Sequence, residues 1–279
     1  MEIQEKTAKT ILTKSKLPDC DYVVNPYTGC GFGCSYCYAS FMSRFVDRDI
    51  NDWGQYVYVK TNASQLLAQE VSKLKSKGQG QSILFSSVTD PYQGVEAKYQ
   101  LTKQCFQILA DFKFQGLVAI LTKSDLVLRD INIFKKLKHI EIGLTITSTQ
   151  DEISRYFEKN APPASKRLQA LKKLNQVGFK TYVFIGPLLP HFVANLTELE
   201  KLFAQIAKTG NRDIYVEQIN LKPYILKRMK QEMADLDENI WQQFYQSQNK
   251  QCQQKLDKIT KDLVKKYGLN LRLGQTIKH

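Results

Sequence analysis

Short apolar runs rich in Val, Ile, Phe and Tyr recur along the chain, at residues 22–25, 56–60, 83–87, 117–122, 140–147, 181–186 and 214–218. They are near-continuous rather than alternating, the pattern of strands covered on both faces in a parallel sheet. Helix-period segments separate them. Residues 64–74 follow an Asn62-x-x-Gln65 capping pattern, and residues 196–207 follow Asn195-x-x-Glu198. Further helices are expected over 100–112, 131–137 and 166–177, and a long one over 240–266, opened by Asp235-x-x-Glu238 and closed by Gly268. Repeated strand-then-helix order implies right-handed crossovers and a parallel sheet. About six such units fit between residues 20 and 266. A closed eightfold barrel typically takes about 250 residues before insertions. The expected fold is therefore α/β, an open partial barrel of parallel strands with the long C-terminal helix packed alongside. Ligand chemistry in such folds gathers at the C-terminal ends of the strands.

Composition narrows the class without naming it. The chain has 279 residues, 43% apolar and 24% charged, so wholesale disorder is excluded and a full core needs no disulfides. No apolar run approaches the length of a membrane span, and the polar start Met1-Glu2-Ile3-Gln4-Glu5-Lys6 carries no secretory pattern. A cytoplasmic protein without a membrane partner is expected. Forty basic against 27 acidic residues give a net charge of +13, spread along the chain. Such an excess speeds encounter with polyanions, but it also serves solubility, so a nucleic-acid partner is open on this ground alone.

The cysteines add the chemistry. Cys30, Cys34 and Cys37 fall within eight residues just after the first strand, while Cys20, Cys105 and Cys252 are scattered. A secreted disulfide framework would be short and cysteine-dense, so a reduced trio reads as a metal or cluster site. Three thiolates on one loop suit three corners of an iron–sulfur cubane, leaving the fourth iron open to a small molecule. Gly29, Gly31 and Gly33 are interleaved with them and allow tight turns. A structural zinc needs four ligands, commonly in paired spacings, and His139, His191 and His279 stand isolated. A zinc-stabilised nucleic-acid-binding module without catalysis is the non-enzyme alternative. Of the other cysteines, Cys105 shares a helical face with Leu101, Ile108 and Phe112, and Cys252 continues a stripe with Phe244, Leu256, Ile259 and Leu263, so both read as core. Cys20 lies ten residues before the loop, within reach of a role near it.

The C-x3-C-x2-C spacing with Tyr36 before the last cysteine resembles the signature of radical S-adenosylmethionine (SAM) enzymes. Asn25-Pro26-Tyr27-Thr28-Gly29-Cys30 and Cys34-Ser35-Tyr36-Cys37-Tyr38 are similar to the spore photoproduct lyase-like branch, also called DNA repair photolyases. Ser86-Ser87-Val88-Thr89-Asp90-Pro91-Tyr92-Gln93-Gly94-Val95-Glu96, Leu121-Thr122-Lys123-Ser124, residues 143–148, Arg167-Leu168-x-Ala170-Leu171 and Phe184-Ile185-Gly186-Pro187 agree. The resemblance covers roughly residues 20–225 and implies one domain over 1–279, its core about 20–225 and a helical extension about 226–279. It implies a partial (β/α)6 barrel, a [4Fe-4S] cluster on Cys30, Cys34 and Cys37, and SAM on the open iron. It further implies reductive SAM cleavage to a 5′-deoxyadenosyl radical that abstracts hydrogen, fed by an electron donor such as flavodoxin or ferredoxin.

On that resemblance Ser86, Ser87, Thr89 and Asp90 stand where the superfamily binds the SAM amino group. Lys123 is suited to the SAM carboxylate, Thr145 and Ser148 to ribose hydroxyls, and Gly186 to close approach of adenine, with Tyr36 and then Tyr38 nearby. Arg167 is either a cofactor contact or a local ion pair, and Glu96 and Glu217 are substrate-facing or surface groups. One departure stands out. True spore photoproduct lyases carry a cysteine, three residues before the aspartate, that returns hydrogen to the product radical; here that place is Ser87. An O–H bond is far harder to break homolytically, which counts against thymine-dimer reversal by that route. Nucleic acid is the first expected substrate class, and a peptide or small metabolite the alternative.

Overall fold

The computed structural model describes residues 1–17 and 20–279, an α/β fold with both parallel and antiparallel strand pairs and C-terminal helices. The chain divides into two compact units, Met1–Gly33 with Met42–Gly143, and Cys34–Phe41 with Leu144–His279. Among the described residues, no helix is long and apolar enough to cross a membrane.

The first unit contains β1 (Glu2–Lys6), β2 (Leu12–Lys14), β3 (Tyr22–Val24), β4 (Tyr27–Thr28), β5 (Tyr56–Lys60), α1 (Ala63–Val71), β6 (Ser82–Phe85), α2 (Glu96–Tyr99), α3 (Leu101–Asp111), β7 (Leu117–Thr122) and α4 (Ile131–Phe134). Strand β8 (His139–Thr145) begins in this unit and ends in the second. β3, β6 and β7 pair in parallel, with Val24 opposite Phe85 and Phe85 opposite Ile120, and β2 closes the edge antiparallel to β3. The predicted strand at 56–60 exists but lies elsewhere. β5 runs parallel to β1 and antiparallel to β4 in a separate three-stranded sheet. Tyr56, Val57, Tyr58 and Val59 are all buried, so the run has the same apolar signature in either sheet. Its partner β1, Glu2-Ile3-Gln4-Glu5-Lys6, is exposed throughout and carries no apolar pattern to announce it.

Helix α1 buries Ala63, Leu67 and Val71 at four-residue spacing. Asn62 precedes it without capping it. Its carboxamide instead spans the backbone of Ala8, donating to the carbonyl and accepting from the N–H, each at 2.9 Å. Glu96 corrects a second expectation, for it is neither substrate-facing nor on the surface. It is fully buried, paired with Arg129 at 2.6 Å, and accepts from the Tyr27 hydroxyl and the Thr102 and Lys103 N–H groups. Those bonds join β4 to the start of α3 over a core of Tyr27, Val57, Val59, Val95 and Leu101.

The second unit holds the end of β8, α5 (Asp151–Phe157), α6 (Ala164–Val177), β9 (Lys180–Leu188), α7 (Leu196–Lys208), β10 (Asp213–Gln218), α8 (Pro223–Glu232), α9 (Glu238–Gln246), α10 (Lys250–Tyr267) and β11 (Asn270–Leu271). β9, β10 and β11 pair in parallel, with β8 on the other side of β9. At α7 the cap is as expected: the Asn195 carboxamide oxygen accepts from the Glu198 N–H at 3.0 Å. The single helix expected over 240–266 is two. Asp237, not Asp235, caps α9, and Asn249 caps α10 by accepting from the Gln251 N–H at 2.9 Å. The Ser247 hydroxyl donates to the Phe244 carbonyl at the end of α9, and Gly268 ends α10 as expected. The break changes the helical register. Phe244 and Leu263 stay buried while Cys252 is exposed, which corrects its assignment to the core; Cys105 is buried as expected.

Two outcomes are expected. Glu96→Ala leaves Arg129 paired with Asp130 but strands the buried Tyr27 hydroxyl and two N–H groups, and should cost about 2–3 kcal/mol, read as a lowered urea midpoint with an unchanged m-value. Brief maleimide treatment of the native chain, followed by peptide mass spectrometry, should label Cys252 and spare Cys105, whose thiol burial pushes up.

Candidate functional site

The three cysteines lie on a loop whose backbone is held by side chains far away in sequence. In the first unit Gly29 has a φ of +85°, and a Cβ there would come within 2.5 Å of the Tyr56 carbonyl oxygen. The Gly29 carbonyl accepts from the Thr89 hydroxyl at 2.5 Å and the Gln93 carboxamide at 3.2 Å. The same carboxamide accepts from the Gly31 N–H at 2.7 Å and donates to Thr89 at 2.8 Å. Gln93 is completely buried, so its bonds to the Gly29 carbonyl and the Gly31 N–H form away from competing water. Cys30 is buried within this segment. Gly54 has a φ of +99°, and a Cβ on it would lie 2.7 Å from the Gly33 Cα.

In the second unit the Cys34–Cys37 turn is closed by the Cys37 N–H donating to the Cys34 carbonyl at 3.2 Å. The guanidinium of Arg228, from α8, donates to the Cys34 and Ser35 carbonyls at 2.6 and 3.2 Å and pairs with Glu232 at 2.5 Å. The Ser35 N–H donates to the Phe157 carbonyl at 2.9 Å. Tyr36 is buried and its hydroxyl donates to Glu158, so burial and that carboxylate push its phenol well up. Glu158 forms an ion pair with Arg167, both fully buried, and also accepts from the Thr147 hydroxyl at 3.2 Å. Arg167 also donates to the Pro162 carbonyl at 2.7 Å and the Thr145 carbonyl at 3.2 Å. Tyr38 is largely exposed, and its carbonyl accepts from the Tyr224 hydroxyl at 3.1 Å.

The strand ends carry the other expected residues. Asp90 is buried, and burial pushes its carboxyl up against hydrogen bonds from the Thr122 hydroxyl at 2.6 Å, the Lys123 N–H at 2.8 Å and the Tyr92 N–H at 2.9 Å. It thereby ties the loop after β6 to the end of β7, next to Lys123. Ser86 has a φ of +66°, and its buried hydroxyl has no hydrogen-bond partner. Ser87 accepts from the Asn25 carboxamide at 3.4 Å. In the second unit Thr145 and Ser148 are buried near the end of β8, and the Ser148 hydroxyl accepts from the Gln150 N–H at 3.0 Å. Gly186 lies where a Cβ would meet the Phe184 ring at 2.6 Å and the Glu217 Cβ at 2.7 Å, next to a register shift between β9 and β10. Glu217 itself pairs with His279 at 2.9 Å.

None of the six cysteines is in a disulfide. Among the described residues, no group of three or more His, Cys, Asp or Glu side chains is drawn together in a metal-holding arrangement. The groups that sequence reading missed are Glu158 and Arg228, which act across distance and belong to no local motif. Gln93 was legible only as part of the Asp90–Glu96 segment. Cys20 donates to the Ser15 hydroxyl at 3.1 Å.

Residues 24–203 match the Radical SAM superfamily. An uncharacterized protein of Methanocaldococcus jannaschii is 37% identical over 222 residues, covering 80% of this chain and 79% of its own length. An uncharacterized protein of Mycobacterium bovis is 27% identical over 205 residues, and the match spans 72% of this chain but 59% of that relative. Among solved structures, spore photoproduct lyase complexed with dinucleoside spore photoproduct superposes with a TM-score of 0.71 at 15% identity, covering 99% of this chain and 82% of that one. The chain belongs to the radical SAM superfamily of enzymes and has a fold close to that of spore photoproduct lyase.

Proposed function

We propose that the chain is a spore photoproduct lyase-like radical SAM enzyme acting on nucleic acid, with Cys30, Cys34 and Cys37 holding a [4Fe-4S] cluster on a partial (β/α)6 barrel. The observation that carries this reading is the loop itself: three cysteines outside any disulfide, on a backbone fixed by Gln93, Thr89 and Arg228. The donor chemistry fits, since cysteine thiolates are the usual ligands of such clusters. When bound, the cluster and SAM supply one-electron cleavage of the sulfonium to methionine and a 5′-deoxyadenosyl radical, which takes a hydrogen atom from substrate.

The residues of this chain bind and orient. Arg228 donates to the Cys34 and Ser35 carbonyls, which fixes the backbone between the second and third cysteines. Ser86, Thr89 and Asp90 are read as the acceptors for the SAM ammonium, and the partnerless Ser86 hydroxyl favours a ligand there. Lys123 is assigned to the SAM carboxylate, Thr145 and Ser148 to the ribose, and Gly186 and Tyr36 to the adenine side, with Tyr38 a secondary candidate there. Arg167 is assigned a positioning role through Glu158 and Tyr36, since each of its three nitrogens already donates to Glu158 or a backbone carbonyl. An external reductant such as flavodoxin or ferredoxin supplies the electron. With Ser87 in place of a thiol, hydrogen return to the product must come from another group, so the reaction differs from dimer reversal by the usual route.

Anaerobic reconstitution should give a brown protein with roughly four irons and matching sulfide. With dithionite and SAM it should release 5′-deoxyadenosine, and Cys30→Ala, Cys34→Ala and Cys37→Ala should each abolish that product. One zinc without labile sulfide would instead favour the zinc-stabilised module. Arg228→Met leaves two carbonyls without their donor and should lower retained iron after gel filtration, with the far-ultraviolet dichroism unchanged; Arg228→Lys should restore part of it.

A further inference from the structure

Strand β1 is one edge of its three-stranded sheet, with β5 in the middle and β4 at the other edge. All its residues, Glu2 to Lys6, are exposed. The parallel ladder with β5 determines which backbone groups stay open. Glu2 donates its N–H to the Gln55 carbonyl at 2.7 Å, and the Lys6 carbonyl accepts from the Thr61 N–H at 3.1 Å. Along a parallel pair alternate residues turn their N–H and C=O to the neighbour, so Glu2, Gln4 and Lys6 face β5. The N–H and C=O groups of Ile3 and Glu5 therefore point out along the open edge. Neither a bulge nor a proline blunts it, since the register is unbroken from Glu2 to Lys6.

Charged side chains usually guard such an edge, but those of β1 are ordered so that a copy of the strand is attracted. Antiparallel pairing brings outward-facing residues opposite one another. Within β1 this limits the twofold registers to Ile3 opposite its own copy, Ile3 opposite Glu5, or Glu5 opposite its own copy. The first and last separate Glu2 from the partner's Lys6, and the last also sets two Glu5 carboxylates face to face. The middle register overlaps the whole strand, puts Gln4 on the axis, and places each Glu2 opposite the partner's Lys6. Both side chains lie on one face: Glu2 pairs with Arg48, Arg48 Nε donates to the Tyr58 hydroxyl at 3.3 Å, and Lys6 Nζ lies 3.6 Å from the Tyr58 ring centroid. In that register they form a non-hydrogen-bonded pair, the arrangement in which side chains come closest. On the other face Ile3, 44% exposed, lies beside the methylene stem of the partner's Glu5.

We propose that a second copy of this chain pairs antiparallel with β1 about a twofold axis through Gln4, joining two three-stranded sheets into one. The strand that leads into the cysteine loop, β4, then lies at each outer edge of the joined sheet. The pairing does not depend on what that loop binds. One short edge buries less than the about 1,200 Å² of a stable interface, so the dimer is weak and concentration-dependent.

Sedimentation velocity of the full chain tests it, from about 5 to about 500 μM in about 0.15 M salt, which screens the net charge of +13 beyond about 8 Å. The weight-average sedimentation coefficient should rise with concentration toward the dimer value. Ile3→Pro removes only an outward N–H and should abolish the rise, with the far-ultraviolet dichroism unchanged. Glu2→Lys and Lys6→Glu should each weaken association about tenfold, because like charges then face each other, and mixing the two variants should restore it. In a Cys252→Ser background, Gln4→Cys should give a disulfide-linked dimer on mild oxidation, since Cα atoms of such an antiparallel pair stand about 4.5 Å apart. Glu5→Cys should not. A chain monomeric throughout the range, or a dimer indifferent to Ile3→Pro, would overturn the self-pairing and leave the edge to a strand of another protein. Cross-linking through Glu5→Cys in place of Gln4→Cys would overturn the axis.

Discussion

The ion pair of Arg167 and Glu158 lies wholly out of water, and the local order of the second unit is built around it. Removing two charges from solvent costs several kcal/mol per ion, and Coulomb attraction offsets this only when the remaining donors and acceptors are satisfied. Here they are. Arg167 reaches two carbonyls besides its carboxylate, and Glu158 accepts from Tyr36 and Thr147. Such a network tolerates one geometry far better than others, because any displacement strands a charge. It therefore fixes the end of β8, the first turn of α6 and the tyrosine between two cysteines as one piece.

The first unit uses the same device. Glu96 gathers Arg129, the Tyr27 hydroxyl and two N–H groups of the α3 start into one buried node. Asp130 extends it, pairing with Arg129 at 2.8 Å and accepting from the Tyr92 hydroxyl at 3.0 Å. Tyr92 and Gln93 are adjacent, so the carboxylate node steadies the residue that holds Gly29 and Gly31. Neutral hydrogen bonds alone would each contribute only about 1 kcal/mol. Anchoring them to a buried charge makes local loosening expensive.

Legibility in the sequence followed how local the cause was. The strands β7 and β10 are readable within a residue from their apolar, β-branched runs, although burial in both alternates, so the expectation that these two are fully covered on both faces is corrected. β1 was invisible, since an exposed strand of Glu, Gln and Lys has no apolar face. Asn195 and Asn62 head equally plausible caps, yet only Asn195 caps; Ala8 lies 54 residues from Asn62 and claims its side chain. Cys252 leaves the apolar stripe because the helix breaks at Asn249, which no local pattern in the sequence marks. The cysteine loop was legible by spacing, but its supports were not: Arg228 meets Cys34 across 194 residues, and Glu158 meets Tyr36 across 122. A short motif records the ligands, whereas the groups that hold the backbone still are dispersed.

Ser86 carries a consequence of a different kind. A non-glycine residue in the left-handed region costs of order 1–3 kcal/mol, and a buried hydroxyl without a partner costs about 1–3 kcal/mol more. The bare chain therefore sits above its own attainable minimum at the end of β6. Any guest offering that oxygen a partner would recover part of the difference, so occupancy would register as added resistance to unfolding even where no atom of the backbone shifts.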